Sequence, residues 1–399
     1  MATVYTGEDP VAGRVEYRDR KRWWWLLSVV YPLLQFSGIG VHAATGHEIA
    51  LVIPLVISYG LFPLLDFFVG EDENNPPEAV VPLLEADRYY RVLTYLTVPL
   101  HFVALVGSAW WAGTQDLSWW AFLVLAYTAG TDAGLGINTG HELGHKHTAL
   151  EQWLAKIVLA VPVYGHFCIE HNRGHHRDVA TPDDPASSRM GESIYRFALR
   201  EIPGGIRRAW RSEAERLARA GRSAWSVHNG MLHSYAISAV LQAGLVAAFG
   251  WTMIPFLAIH NLVAWWQLTS ANYVEHYGLL RRRLPNGKYE RPQPHHSWNA
   301  NHTVTNLLLF QLERHSDHHA YPSRRYQSLR HFENLPRLPN GYLGMFPLAY
   351  VPPLWFRVMD PRLMGLPQVA GRLENVNVDP RARARLEAKW GAPGRLASD

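Results

Sequence analysis

Apolar residues along this chain are bunched into long blocks separated by polar stretches, rather than spread as they are in a soluble domain. Six blocks, at 23–43, 48–68, 92–113, 117–137, 230–251 and 253–274, run close to the ~20 residues that a helix needs to cross a ~30 Å hydrocarbon core. Short polar links at 44–47 and 114–117 join them in pairs, which predicts three helical hairpins. The stretch from Trp153 to Ile169 is apolar but interrupted by Pro162 and Gly165, and reads as a re-entrant or interfacial helix. Residues 192–223, with Arg and Glu at helical spacing, predict an amphipathic helix pair, and the tail from about 375 a solvated helix with a frayed end. The fold class expected is an all-α integral membrane protein. Its 399 residues form one membrane-embedded domain, with six transmembrane helices and a helical cap built from 138–229 and 275–399.

Charge orients the spans. Arg18, Arg20, Lys21 and Arg22 precede the first block and Arg281, Arg282 and Arg283 follow the last, so both termini and the cap fall on the cytoplasmic side of an inner membrane. The 69–91 loop is acidic and is placed inside by parity alone. Near-neutral mean hydropathy, −0.13, reflects dilution of the apolar blocks by polar segments. Sixteen Trp and eighteen Tyr suit interfacial belts. A net charge of +4 is compatible with nucleic acid, anionic lipid or an acidic protein, and the spans favour lipid and an acidic partner, with no nucleic acid. The first 13 residues carry no removable signal pattern. A single cysteine, Cys168, excludes internal disulfides and CxxC metal sites, so any cysteine-ligated electron carrier is a separate protein.

Candidate chemistry lies in the histidines. Of 21, nine fall in four groups: His141 and His145 in "HELGHKH"; His171, His175 and His176 in "EHNRGHH"; His276 in "NYVEHYGL"; His315, His318 and His319 in "RHSDHHA". Spacings of i, i+3 and i+4 let imidazoles on one helix face converge on an ion. Nine nitrogens exceed the needs of one metal, which points to a binuclear site of iron, copper, zinc or nickel. The H-E-x-x-H spacing of His141, Glu142 and His145 is also that of zinc peptidases. That reading leaves seven histidines idle, and the motif sits where a span leaves the membrane. His42, His47, His101, His228, His233, His260 and His331 read as lone hydrogen-bonding or snorkelling residues and are assigned no metal, and His166, His295, His296 and His302, which lack paired spacing, are expected beside the site or at the surface. Glu142, Glu170, Glu275 and Asp317, with Asn272, are expected beside the ligands, holding their outer ring nitrogens.

These four signatures, with the flanking "NTGHELGH" and "WWQLTSANY", resemble the integral-membrane histidine-box non-haem di-iron enzymes, and within them the alkane monooxygenases. The resemblance runs from the first span to about residue 365. It implies two irons held by the nine histidines, and insertion of one atom of O2 into the terminal methyl of a medium-chain n-alkane to give a 1-alkanol. It further implies electrons from a rubredoxin, reduced in turn by an NAD(P)H-dependent flavin reductase. The "NYVEHYGL" signature disfavours a desaturase or xylene-type hydroxylase. A histidine-rich metal transporter is disfavoured because only His101 and His260 lie at mid-membrane.

The chemistry is consistent with this. An unactivated methyl offers neither an acidic proton nor an electrophilic carbon, so acid–base groups alone do nothing to it and an oxidant made from O2 at a metal is required. A tunnel between apolar spans would present the alkane end-on, and its depth would set chain length at about 0.8 kcal/mol per buried methylene. Ser58, small amid "LVISYGLFPLLD", is the expected tunnel residue. Arg173, Arg177, Arg281, Arg282, Arg283, Arg324 and Arg325 are candidates for docking an acidic rubredoxin.

Overall fold

The computed structural model describes residues 3–391, and all six apolar blocks are helical in it. Four helices are long and apolar enough to cross a membrane: Glu48–Val69, Arg88–Thr114, Trp119–Gly144 and Gly230–Phe249. The first block is a pair, Leu26–Leu33 and Gln35–Thr45, bent by 45° and able to serve as one broken span. The last is an unbroken 24-residue helix, Met253–His276. His260, Asn261 and Gln267 dilute its apolar run below the hydropathy of the four clear spans. Large side chains such as Phe67, Val240 and Trp251 are more than 70% exposed, as lipid-facing residues are.

At the centre, Trp119–Gly144 packs along Met253–His276. Gly130 and Gly134, one turn apart, permit the approach: a Cβ on Gly130 would lie 2.6 Å from the His260 carbonyl oxygen, and one on Gly134 2.5 Å from the Gln267 Cβ. The Trp119–Gly144 helix runs seven residues beyond the predicted span. It thereby carries Asn138 to Gly144 as helix, with His145 as its C-cap.

Three expectations are corrected and one is refined. An antiparallel hairpin, Thr3–Asp9 with Gly13–Asp19, precedes the helices, so the fold is mostly but not wholly helical. Asp9 Oδ1 accepts from the Val11 and Ala12 amides at 2.9 Å, and Gly13 supplies the positive φ the turn requires. Tyr5 then donates to Asp87 Oδ2 at 2.6 Å, pinning the hairpin to the start of the Arg88–Thr114 helix. Residues 192–223 form one helix, Ile194–Arg219, rather than a pair. Ile194, Phe197, Ala198, Glu201, Gly205 and Ala209 bury one continuous stripe, and this packing carries the helix through Pro203. The apolar 153–169 stretch is split: Ala149–Ala160 is helical, the chain turns at Val163 with φ 56°, and helix resumes at Phe167. The tail is not simply solvated. Val376 and Val378 are buried, and the Met190 amide donates to the Asn377 carbonyl at 2.8 Å before the last helix, Arg383–Trp390. The frayed end expected there falls on 392–399, outside the described residues.

Candidate metal centre

Four segments bring the nine histidines together. His141 and His145 close the Trp119–Gly144 helix, and His276 closes Met253–His276. His315, His318 and His319 lie on the short helix His315–Ala320, where i, i+3 and i+4 share a face. The fourth segment, 167–178, contains a π-turn at His171–His175. In an α-helix residues five apart point about 140° away from each other, whereas the wider turn swings them together. As a result His171 Nε2 and His176 Nε2 stand 3.1 Å apart.

Two sets result. Candidate ligand atoms of His141, His145, His171 and His318 lie within 4.8 Å of one another, as do those of His175, His276, His315 and His319. His176 stands between them: its Nε2 is 3.1 Å from His318 Nε2, and its ring centroid 4.5 Å from that of His319. The closest nitrogen pairs are His141 with His318, 2.9 Å, and His315 with His319, 3.0 Å.

This donor set fits two cations. Nitrogens each about 2.1 Å from one ion and at right angles to each other stand about 3 Å apart, the separation seen here. Nε2 of His145, His175 and His276 is buried with no hydrogen-bond partner among the described residues, a costly arrangement unless an ion sits there. Burial and mutual repulsion push the His171, His176, His318 and His319 imidazoles well below their usual range, so they are neutral and ligand-competent.

The outer nitrogens show what orients the rings. His276 Nδ1 faces the His296 carbonyl at 3.3 Å. His175 Nδ1 is 2.8 Å from Asp184 Oδ2, and both side chains are fully buried. Burial alone would lower the His175 pKa, but the Asp184 carboxylate raises it. Asp184 also accepts from Ser187 Oγ at 2.6 Å and from Arg208 Nη2 at 2.8 Å. Sequence reasoning missed Asp184; the available signal was the doubled Asp before Pro185, nine residues after His175.

The carboxylates expected beside the rings sit elsewhere. Glu142 pairs with Lys146 at 3.1 Å and accepts from the Tyr326 amide at 3.3 Å, because it leaves the helix on the face away from His141. Glu170 binds Arg208, and Asp317 binds Arg324 at 3.2 Å. Asn272 donates to Glu201 Oε1 at 3.1 Å. Glu275 does reach a histidine, but on the inner side: its Oε2 is 3.3 Å from His315 Nε2, the atom that also faces His319. Among the arginines proposed for docking, Arg281, Arg324 and Arg325 are engaged internally, with the Glu290 carbonyl, Asp317 and Glu151. Arg177 and Arg282 are exposed. A separate group, Glu290, His295 and His296, is not metal-like: His296 Nδ1 accepts from the Gln293 amide, which leaves a protonated Nε2 facing Glu290.

A narrow cavity meets the histidines. His141, His171, His315 and Glu275 line its metal end, and Leu135, Leu312, Leu343 and Phe346 its largely apolar wall. Thr131, Tyr31 and Gln267 line the far end. Thr131 and His141 are ten residues apart on one helix, so the cavity extends about 15 Å. Ser58 is not on the lining. It lies behind it, with Oγ 3.1 Å from the Tyr31 hydroxyl.

A sequence profile of the fatty acid desaturase family matches residues 117–349. The chain is 55% identical over 384 residues to alkane 1-monooxygenase 1 of Alcanivorax borkumensis, covering 96% of this chain and 94% of that one. It is also 55% identical over 377 residues to alkane 1-monooxygenase of Ectopseudomonas oleovorans, covering 94% and 93%. A third relative, alkane 1-monooxygenase of Pseudomonas putida, is 55% identical over 376 residues.

Proposed function

The chain belongs to the alkane monooxygenase family, and from that premise we propose that it hydroxylates the terminal methyl of medium-chain n-alkanes to 1-alkanols at a pair of irons, with reduced rubredoxin as electron donor. It is an O2-dependent monooxygenase and an integral membrane protein. One observation carries the finer reading: an apolar cavity about 15 Å long ends on two sets of converging histidines.

His141, His145, His171 and His318 would hold one iron and His175, His276, His315 and His319 the other, with His176 between them. Iron bound there would supply the electrons and open positions that reduce O2 to an oxidant able to attack a methyl C–H bond. The chain's own residues do the rest. Leu135, Leu312 and Phe346 hold the alkane by its methylenes, so only its end reaches the histidines. The largely apolar wall formed by Leu135, Leu312, Leu343 and Phe346 limits water beside the reacting end. Asp184 fixes the His175 ring with Nε2 directed inward.

We read the chain as one catalytic domain over 1–399 with six spans, the broken first pair and Met253–His276 completing the four clear ones. Residues 138–229 and 275–399 form the cap on the cytoplasmic side of the inner membrane, where a soluble rubredoxin and its NAD(P)H-dependent flavin reductase reach it. Exposed Arg177 and Arg282 remain suited to an acidic partner. Purification in detergent, iron counting, and assay on octane with rubredoxin and reductase test the reading. Two irons per chain and 1-octanol are expected; a single zinc with no oxygen consumption would overturn it.

A further inference from the structure

The far end of the cavity carries a group that an alkane cannot use. Gln267, 8% exposed, lines the cavity on the Met253–His276 helix, and its Oε1 accepts from the Tyr59 hydroxyl at 2.5 Å. Its Nε2 is buried without a partner among the described residues. The other polar groups at that end are satisfied: the Tyr31 hydroxyl meets Ser58 Oγ, and Thr131 Oγ1 donates to the Tyr127 carbonyl. Gly134 faces Gln267, and a Cβ there would lie 2.5 Å from the Gln267 Cβ, so the helix pair is built to admit this side chain. Tyr59 in turn lies in the π-turn Ile57–Leu61, which sets its hydroxyl toward Gln267.

A buried amide donor left unpaired costs free energy that an apolar chain end cannot return. A hydroxyl returns it whichever way the amide is turned, since it both donates and accepts. Gln267 is eight residues from Glu275 on one helix, about 12 Å along the axis, so a hydroxyl bound here leaves the opposite methyl of a medium-length chain at the histidines.

We propose that Gln267 is an anchor for oxygenated chains, and that the enzyme takes medium-chain primary alcohols hydroxyl-first into the far end and hydroxylates the remote methyl to give the α,ω-diol. This rests on the monooxygenase reading above. The step balances as the alkane reaction does: alcohol, O2, two electrons and two protons give diol and water. One methyl C–H bond is replaced by C–O–H, and the electrons come from the same reduced rubredoxin.

Octane and 1-octanol, supplied to the iron-loaded enzyme in lipid nanodiscs with rubredoxin and reductase, test it. Wild type is expected to form 1,8-octanediol from 1-octanol. Gln267→Met is expected to raise the ratio of the KM for 1-octanol to that for octane roughly tenfold, the size of one lost hydrogen bond. Gln267→Asn, which keeps the amide one methylene further back, is expected to shift the favoured alcohol to a longer chain, and it decides the matter if the Met variant does not fold. An unchanged ratio in both variants, or octanal in place of diol, overturns the proposal. Failure of wild type on octane itself overturns the monooxygenase reading instead.

Discussion

Two carboxylates near the histidines make opposite predictions. Asp184 holds His175 Nδ1 at 2.8 Å, whereas Glu142, though next to His141 in sequence, holds Lys146. Removing a carboxylate that orients a metal-bound histidine typically lowers metal affinity 10–100-fold. Asp184→Asn is therefore expected to lose most of its iron on dialysis against a weak chelator, and Glu142→Gln to retain it; elemental analysis of the two variants checks this, and equal retention would refute the Asp184 role. His141 with His145, and His315 with His318 and His319, were legible from sequence because i, i+3 and i+4 spacing is a local property that survives into the fold, whereas His276 stands alone in the chain and was reached through the family resemblance. Asp184 was not, since its bond to His175 depends on how the chain turns between them. Glu201 is another residue that only the fold exposes: burial pushes its carboxyl up to about 7, with Glu170 nearby adding to the rise and bonds to Thr269 and Asn272 opposing it. Because the folded pKa exceeds the unfolded value, the folded state holds the extra proton. Stability from this group is fully present below about pH 4.5 and is lost as pH rises toward 7, by about 3 kcal/mol in all. Thermal midpoints measured from pH 5 to 8 are expected to fall in wild type and to fall less in Glu201→Gln.

At the scale of elements, two π-turns bear on the site, and neither leaves a trace in hydrophobic patterning. The first, Ile57–Leu61, interrupts an apolar run that reads as one plain helix. It buries Ser58, 1% exposed, against Tyr31, and it is Tyr31 that lines the cavity. A tunnel role for Ser58 would therefore have to act through Tyr31. Ser58→Trp has no room behind Tyr31 and must drive that ring into the far end, shortening the space for methylenes that each contribute about 0.8 kcal/mol. Competition assays with hexane to dodecane should show the preferred chain becoming shorter; an unmoved product profile would detach Ser58 from chain-length selection. The second turn, His171–His175, explains why "EHNRGHH" supplies three histidines to one centre although His171 and His176 point apart on an ordinary helix. The amphipathic Ile194–Arg219 helix was legible as a pattern, but its continuity through Pro203 was not. That continuity matters for the centre, because the same helix carries both Glu201 and Arg208, the arginine that binds Asp184 and Glu170.

Across the whole molecule, the histidines join parts of the chain that lack other reasons to stay together. Two of the four histidine groups, His141 with His145 and the single His276, lie at the ends of the central helix pair, Trp119–Gly144 and Met253–His276. The other two lie on 167–178 and on the six-residue helix His315–Ala320, which is embedded in largely irregular chain between residues 277 and 341. A helix that short does not hold its shape alone. Iron that binds the folded arrangement and not the unfolded chain stabilises it by mass action, about 4 kcal/mol when free metal is a thousandfold above its Kd. The gain should be local, since the Gly230–Phe249 helix contributes no ligand and is held independently, with Ser234 and Ser238 donating to the Lys156 and Ala160 carbonyls. Stripping the metal with a strong ferrous chelator is therefore expected to lower the thermal midpoint. It should also speed amide hydrogen exchange at 303–330 and 171–178 while leaving 235–248 unchanged. Equal protection in the stripped and loaded forms at 303–330 would mean that the cap is held by its own hydrogen bonds, such as Asn299 with the Ser316 amide at 2.9 Å and Arg314 with the Leu329 carbonyl at 2.8 Å, and that the ions are passengers in a preformed site.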